Sequence, residues 1–90
     1  MLVEQTGAFR KIVKKLHKNQ KMDLDLAVKK IMEDPYIGEN KIGDLSFVKI
    51  YKFKMINQLT FLAYSYEKNA IILTFLYLGT HENFYRDVKK

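Results

Sequence analysis

The spacing of apolar residues changes once along this chain, near Phe47, and that change limits its possible folds more than any other feature. Before it, apolar side chains recur at helical intervals: Phe9, Ile12, Val13 and Leu16 fall at i, i+3, i+4 and i+7, and Leu24, Ala27, Val28 and Ile31 repeat the spacing. After it, β-branched and aromatic residues dominate residues 47–55, 59–66 and 70–78. Helices followed by strands predict an α+β fold in which an N-terminal helical hairpin packs on one face of a sequential antiparallel β-sheet.

The punctuation supports this division. Thr6 is placed to cap a first helix over residues 6–19, whose outer faces carry Arg10, Lys11, Lys14, Lys15 and Lys18. The polar Asn19-Gln20-Lys21 reads as a short break before a second, antiparallel helix. That helix must stop near Glu33, because Pro35 pushes Asp34 out of the α region and offers no backbone donor. Gly38 and Gly43 then mark a loop over residues 35–45, with Lys41 and Asp44 expected to be exposed. Asn57 and Asn69 suit the positive φ that hairpin loops demand, and Leu2–Gln5 is a candidate edge strand.

Residues 70–78 do not alternate polar with apolar, so this strand should be covered on both faces. One helical hairpin covers only one. The other face must be partly exposed, curled on itself or covered by a partner, and the small size of the chain favours the partner.

Ninety residues make one domain, 1–90, and 48% hydrophobic content is enough for a packed core. The absence of cysteine removes disulfides, thiolate nucleophiles and cysteine-ligated metals. Met1 to Gln5 has neither the basic nor the apolar part of a signal peptide, and no apolar run approaches the roughly 20 residues of a membrane span, so a cytoplasmic location is expected. Sixteen Lys and Arg against ten Asp and Glu give +6, a charge that attracts polyanions without choosing among RNA, DNA, acidic protein and anionic lipid.

Two stretches can carry chemistry. In Val48-Lys49-Ile50-Tyr51-Lys52-Phe53-Lys54-Met55, period two puts Lys52 and Lys54 on one face, about 7 Å apart, and Lys49 on the other. The pair suits phosphate contact, with Tyr51 and Phe53 as stacking platforms if exposed; lysines protecting an edge strand from aggregation give the same pattern. The second stretch is Gly79-Thr80-His81-Glu82-Asn83-Phe84-Tyr85-Arg86-Asp87. His81 can move a proton near neutral pH, Tyr85 can donate one or stack on a base, and Arg86 can neutralise a phosphorane. A surface histidine and a tyrosine packed on the second helix would look the same. His17 and His81 lie too far apart in sequence for a metal-binding motif, and no glycine-rich phosphate loop, GxSxG or close carboxylate pair occurs.

Lys41-Ile42-Gly43-Asp44-Leu45, Tyr51-Lys52-Phe53-Lys54, Leu62-Ala63-Tyr64 and the Gly79-to-Asp87 ending together resemble the RelE/ParE toxins of type II toxin–antitoxin systems, over nearly the whole chain. The ending is similar to the YafQ type. The resemblance implies a ribosome-dependent endoribonuclease that drives a ribose 2′-hydroxyl of mRNA onto the adjacent phosphate, with no cofactor, held inactive by a cognate acidic antitoxin. It implies His81 as the proton-transfer group, Tyr85 as its stacking or proton-donating companion, and Lys52, Lys54 and Arg86 as phosphate ligands. Lys11, Lys14, Lys15, Lys18 and Lys49 would meet RNA of the ribosome or message. Gln58-Leu59-Thr60-Phe61-Leu62 departs from the pattern, lacking the Arg, Glu or Asp that several of these nucleases carry on the middle strand. The ParE relatives share the fold but poison DNA gyrase without cutting RNA, so a gyrase inhibitor and a non-catalytic RNA- or partner-binding module remain alternatives.

Overall fold

The computed structural model describes residues 1–41 and 47–80. Along the chain run β1 (Leu2–Gln5), α1 (Gly7–Lys14), α2 (Lys18–Glu33), β2 (Glu39–Asn40), β3 (Lys49–Met55), β4 (Gln58–Glu67) and β5 (Ile72–Thr80). The expected helices-then-sheet arrangement is present, with both helices packed on one face of a five-stranded sheet.

Thr6 caps α1 as expected. Its Oγ1 accepts from the Phe9 N–H at 3.1 Å and donates to the Leu76 carbonyl at 2.7 Å, so the cap also ties the helix to β5. The first helix is shorter than its periodicity predicts. The N–H groups of Lys15 and Leu16 turn back to the carbonyls of Ile12 and Val13, each at 3.1 Å, closing α1 with a tight final turn. Gln20 supplies the reason for the new start: its Oε1 accepts the His17 N–H at 2.8 Å, half of a capping box. Asn19, Gln20 and Lys21 therefore form the first turn of α2 rather than a break, and Lys18 belongs to α2 rather than α1. The other end of α2 falls at Glu33, where Pro35 requires it, and Asp34 Oδ1 then accepts the Tyr36 N–H at 3.1 Å.

Strand order is β1-β5-β4-β3-β2. β3, β4 and β5 are the sequential antiparallel strands expected, and β1 is at the sheet edge. Its pairing with β5 is parallel, Leu2 opposite Ile72 through Gln5 opposite Phe75, so the sheet is mixed rather than wholly antiparallel. β2 interrupts what reads in sequence as pure loop. Its two residues pair with Lys49 and Ile50, too short a ladder to leave a periodic trace. Lys41, expected to be exposed, is half-buried, and its N–H donates to the Val48 carbonyl at 2.9 Å; Asp44 lies outside the described residues.

Two buried clusters lie on opposite faces of the sheet. On the helix side, Phe9, Leu24, Ala27 and Ile31 meet Leu62, Tyr64, Leu73, Phe75 and Leu78, with the Phe9 and Phe75 rings stacked at 5.5 Å. On the far side, Val48, Ile50, Phe61 and Ala63 are buried together, flanked by Leu76 and Tyr77. β5 thus faces apolar groups on both sides, as expected. A register shift between Ala63 and Tyr64 disturbs its alternation, setting Ala63 opposite Tyr77 but Tyr64 opposite Phe75. The far cluster corrects the idea of a bare apolar face, because its four core residues are only 2–4% exposed within this chain.

Tyr64 anchors the segment leading to β2. Its hydroxyl donates to the Pro35 carbonyl and accepts from the Gly38 N–H, both at 2.9 Å. A Cβ at position 38 would lie 2.8 Å from that hydroxyl and 3.1 Å from the Ile50 carbonyl, so the close approach requires glycine. Burial raises the Tyr64 pKa, the Gly38 N–H opposes the rise, and the charge of Asp34 adds to it. Among the described residues, no helix is long and apolar enough to cross a membrane.

Candidate functional site

β3 sorts its side chains as period two requires. Tyr51, Phe53 and Met55 pack against the helix-side core, whereas Ile50 belongs to the far cluster, so Lys52 and Lys54 project from the far face. Tyr51 and Phe53 stack on each other at 6.1 Å and are half-buried, which makes them a margin of the core more than open platforms. Lys52 and Lys54 are both exposed.

Lys52 is held at two points. Its Nζ lies 3.5 Å from Glu39 Oε2 and 5.5 Å from the centre of the Phe61 ring. Phe61 belongs to the middle-strand stretch Gln58 to Leu62 that lacks an Arg, Glu or Asp, and it gives the ammonium an aromatic face. Glu39 escapes sequence reasoning altogether, since β2 is two residues long and its pairing with β3 is what brings this carboxylate to Lys52.

The register brings the end of β5 to the same place. Lys52 is opposite Phe61, Phe61 is opposite Gly79, and Thr60 is opposite Thr80. Two strand spacings, about 10 Å, separate the Lys52 and Gly79 backbones. His81, Tyr85 and Arg86 follow directly in the sequence and lie outside the described residues.

Lys49 points to the opposite face, as its period predicts. Its Nζ donates to Asn40 Oδ1 at 2.6 Å and sits 5.5 Å above the Tyr36 ring, itself edge-to-face with Tyr66. Lys11, Lys14, Lys15 and Lys18 are exposed on α1, its C-cap and the start of α2. With both helices on the near face and Lys52 and Lys54 on the far one, the sheet separates the basic residues into two surfaces.

Residues 3–89 match the family model described as ParE-like toxin of type II bacterial toxin–antitoxin system. No curated protein sequence matches. Among solved structures, the chain is similar to a toxin–antitoxin chain of the intact E. coli RelBE complex, with a TM-score of 0.70 at 19% identity, covering 88% of this chain and 94% of that one. It is similar to the isolated E. coli RelE toxin, with a TM-score of 0.69 at 20% identity, covering 98% and 95%. An E. coli RelE double mutant bound to an antitoxin RelBc peptide superposes with a TM-score of 0.70 at 16% identity, covering 99% and 94%. At such identities the likeness establishes the fold.

Proposed function

The chain belongs to the ParE-like toxins of type II bacterial toxin–antitoxin systems, and on that premise we propose that it is a ribosome-dependent mRNA endoribonuclease acting in the cytoplasm and neutralised by a cognate antitoxin. One observation carries the reading: Lys52 and Lys54 project from one sheet face, at the level where β5 leads into the His81, Tyr85 and Arg86 stretch. In the proposed reaction the 2′-hydroxyl oxygen bonds to phosphorus, the P–O5′ bond breaks, the 2′ proton leaves and the O5′ gains one. His81 transfers protons and Tyr85 positions the nucleotide. Lys52, Lys54 and Arg86 counter the charge that grows on the phosphoryl oxygens. Lys11, Lys14, Lys15 and Lys18 contact ribosomal phosphates from the other face, and Lys49 meets RNA apart from Lys52 and Lys54.

Single-turnover cleavage of mRNA on programmed ribosomes tests this. His81→Ala should lose about 10²- to 10⁴-fold in rate at nearly unchanged ribosome affinity. Lys52→Ala with Lys54→Ala should lower both, because ammonium groups meet phosphate in the ground state as well as the transition state. The ParE-like description of the matched family favours a second reading, inhibition of DNA gyrase without cleavage. A parent protein that cuts no mRNA while DNA supercoiling falls would replace the first reading with the second.

A further inference from the structure

The free-state partner of Lys52 has no role in that mechanism. Glu39 Oε2 lies 3.5 Å from the Lys52 ammonium, and the two side chains remain 75% and 47% exposed. The fold does not need this contact. β2 is already held by its ladder to β3 and by the Gly38–Tyr64 hydrogen bond, and an exposed ion pair shifts an equilibrium by at most about fivefold. What the contact does alter is Lys52, an ammonium that the far face also presents to a polyanion.

We infer that Glu39 is an internal competitor for the RNA-binding site, an anion that occupies Lys52 until an RNA phosphate displaces it. The inference rests on the reading of Lys52 as a phosphate ligand. A phosphate arriving at Lys52 gains the ammonium, loses the Glu39 contact from the account and acquires a carboxylate neighbour of its own sign. Every RNA is penalised equally at this point. At a given concentration a uniform penalty empties a weak site before a tight one, so Glu39 lowers occupancy by free RNA, while an RNA held by further contacts, such as those between a ribosome and the near-face lysines, stays bound. A carboxylate already engaged by the phosphate-binding ammonium is also poorly placed to take the 2′ proton, which separates this role from general-base catalysis.

The probe is a fluorescent 2′-O-methylated RNA oligonucleotide, which offers phosphates and bases but no attacking hydroxyl, titrated by anisotropy across a series of salt concentrations. Glu39→Gln should bind about three- to fivefold tighter at low salt. Its plot of log affinity against log salt should steepen, because the Glu39 carboxylate displaced by phosphate takes up salt cation and so offsets part of the counterion release from the RNA, and Gln does not. In a Lys52→Met background the same change should have a much smaller effect, only the longer-range repulsion between Glu39 and RNA remaining. Affinity unchanged or weakened by Glu39→Gln, or a gain undiminished in the Lys52→Met background, overturns the inference while leaving the nuclease reading intact. Unchanged binding with cleavage lost on ribosomes overturns it in favour of proton abstraction by Glu39. If Lys52→Met leaves RNA affinity untouched with either residue at position 39, the phosphate-ligand reading falls as well.

Discussion

Replacing Tyr64 by phenylalanine removes one oxygen atom and with it two hydrogen bonds that tie residues 35–38 to the sheet. The ring stays in the helix-side core, so little packing is lost. Each bond contributes about 0.5–1.5 kcal/mol, and a Gly38 N–H left facing an aromatic edge keeps its desolvation cost, so the change should destabilise by about 2–3 kcal/mol. For a domain of this size that lowers the melting temperature by roughly 10–15 °C. Circular dichroism melts at neutral pH measure it, with Tyr51→Phe as the control: the Tyr51 hydroxyl has no hydrogen bond among the described residues, and its loss should cost under about 0.5 kcal/mol. The gap should also depend on pH. Because burial raises the folded-state pKa above its ordinary value of 10.0, the Tyr64 contribution is complete below that pH and fades as pH climbs through the raised value. Parent and Tyr64→Phe should therefore differ by a constant amount from neutrality to near pH 10 and converge above it. A gap of under about 3 °C at pH 7, or one that does not shrink in alkali, refutes the reasoning.

Gly38→Ala drives a methyl group against the Tyr64 hydroxyl, its ring edge at 2.9 Å and the Ile50 carbonyl, and should cost about 1–3 kcal/mol in urea unfolding; combined with Tyr64→Phe the loss should be less than additive, because both changes disrupt the same Gly38–Tyr64 hydrogen bond. At the β3–β4 turn, Ile56 adopts φ 49° and Asn57 φ 65°. Ile56→Asn relieves a β-branched residue from the left-handed region while keeping the N–H that donates to Asp23 Oδ2 at 2.8 Å, so the urea midpoint should rise by about 0.5–1 kcal/mol equivalent, and a fall would show that the Ile56 side chain contributes more than its backbone costs.

The sequence was most legible where one local rule acted alone. Pro35 ended α2 at Glu33, and Thr6 capped α1, because each effect is confined to a few adjacent backbone groups. Gln20 misled because a polar residue after a polar residue looks like a break, yet its amide reaching back to His17 makes the same stretch a helix start. Ile56 hid the β3–β4 turn type in part: Asn57 announced a positive φ, whereas nothing about isoleucine does, and the compensation comes from Asp23, 33 positions away. The parallel pairing of β1 with β5 joins strands about 70 residues apart, and no local pattern encodes a partner at that distance.

For the site, alternation was sufficient to place Lys52 and Lys54 together and Lys49 opposite, since period two is a property of the strand itself. Glu39 was invisible because its position depends on three separate segments. Tyr64 on β4 fixes the Gly38 N–H, Gly38 permits the close approach, and the brief β2 ladder then aims the carboxylate across to Lys52 on β3. This chain of contacts joins stability to chemistry. A core hydroxyl on the helix side positions, through one backbone amide, the charge that faces the Lys52 ammonium on the far side. Weakening Tyr64 should therefore release Lys52 from Glu39 as well as soften the fold, and the two consequences have opposite signs, one lowering the melting temperature and the other raising affinity for RNA.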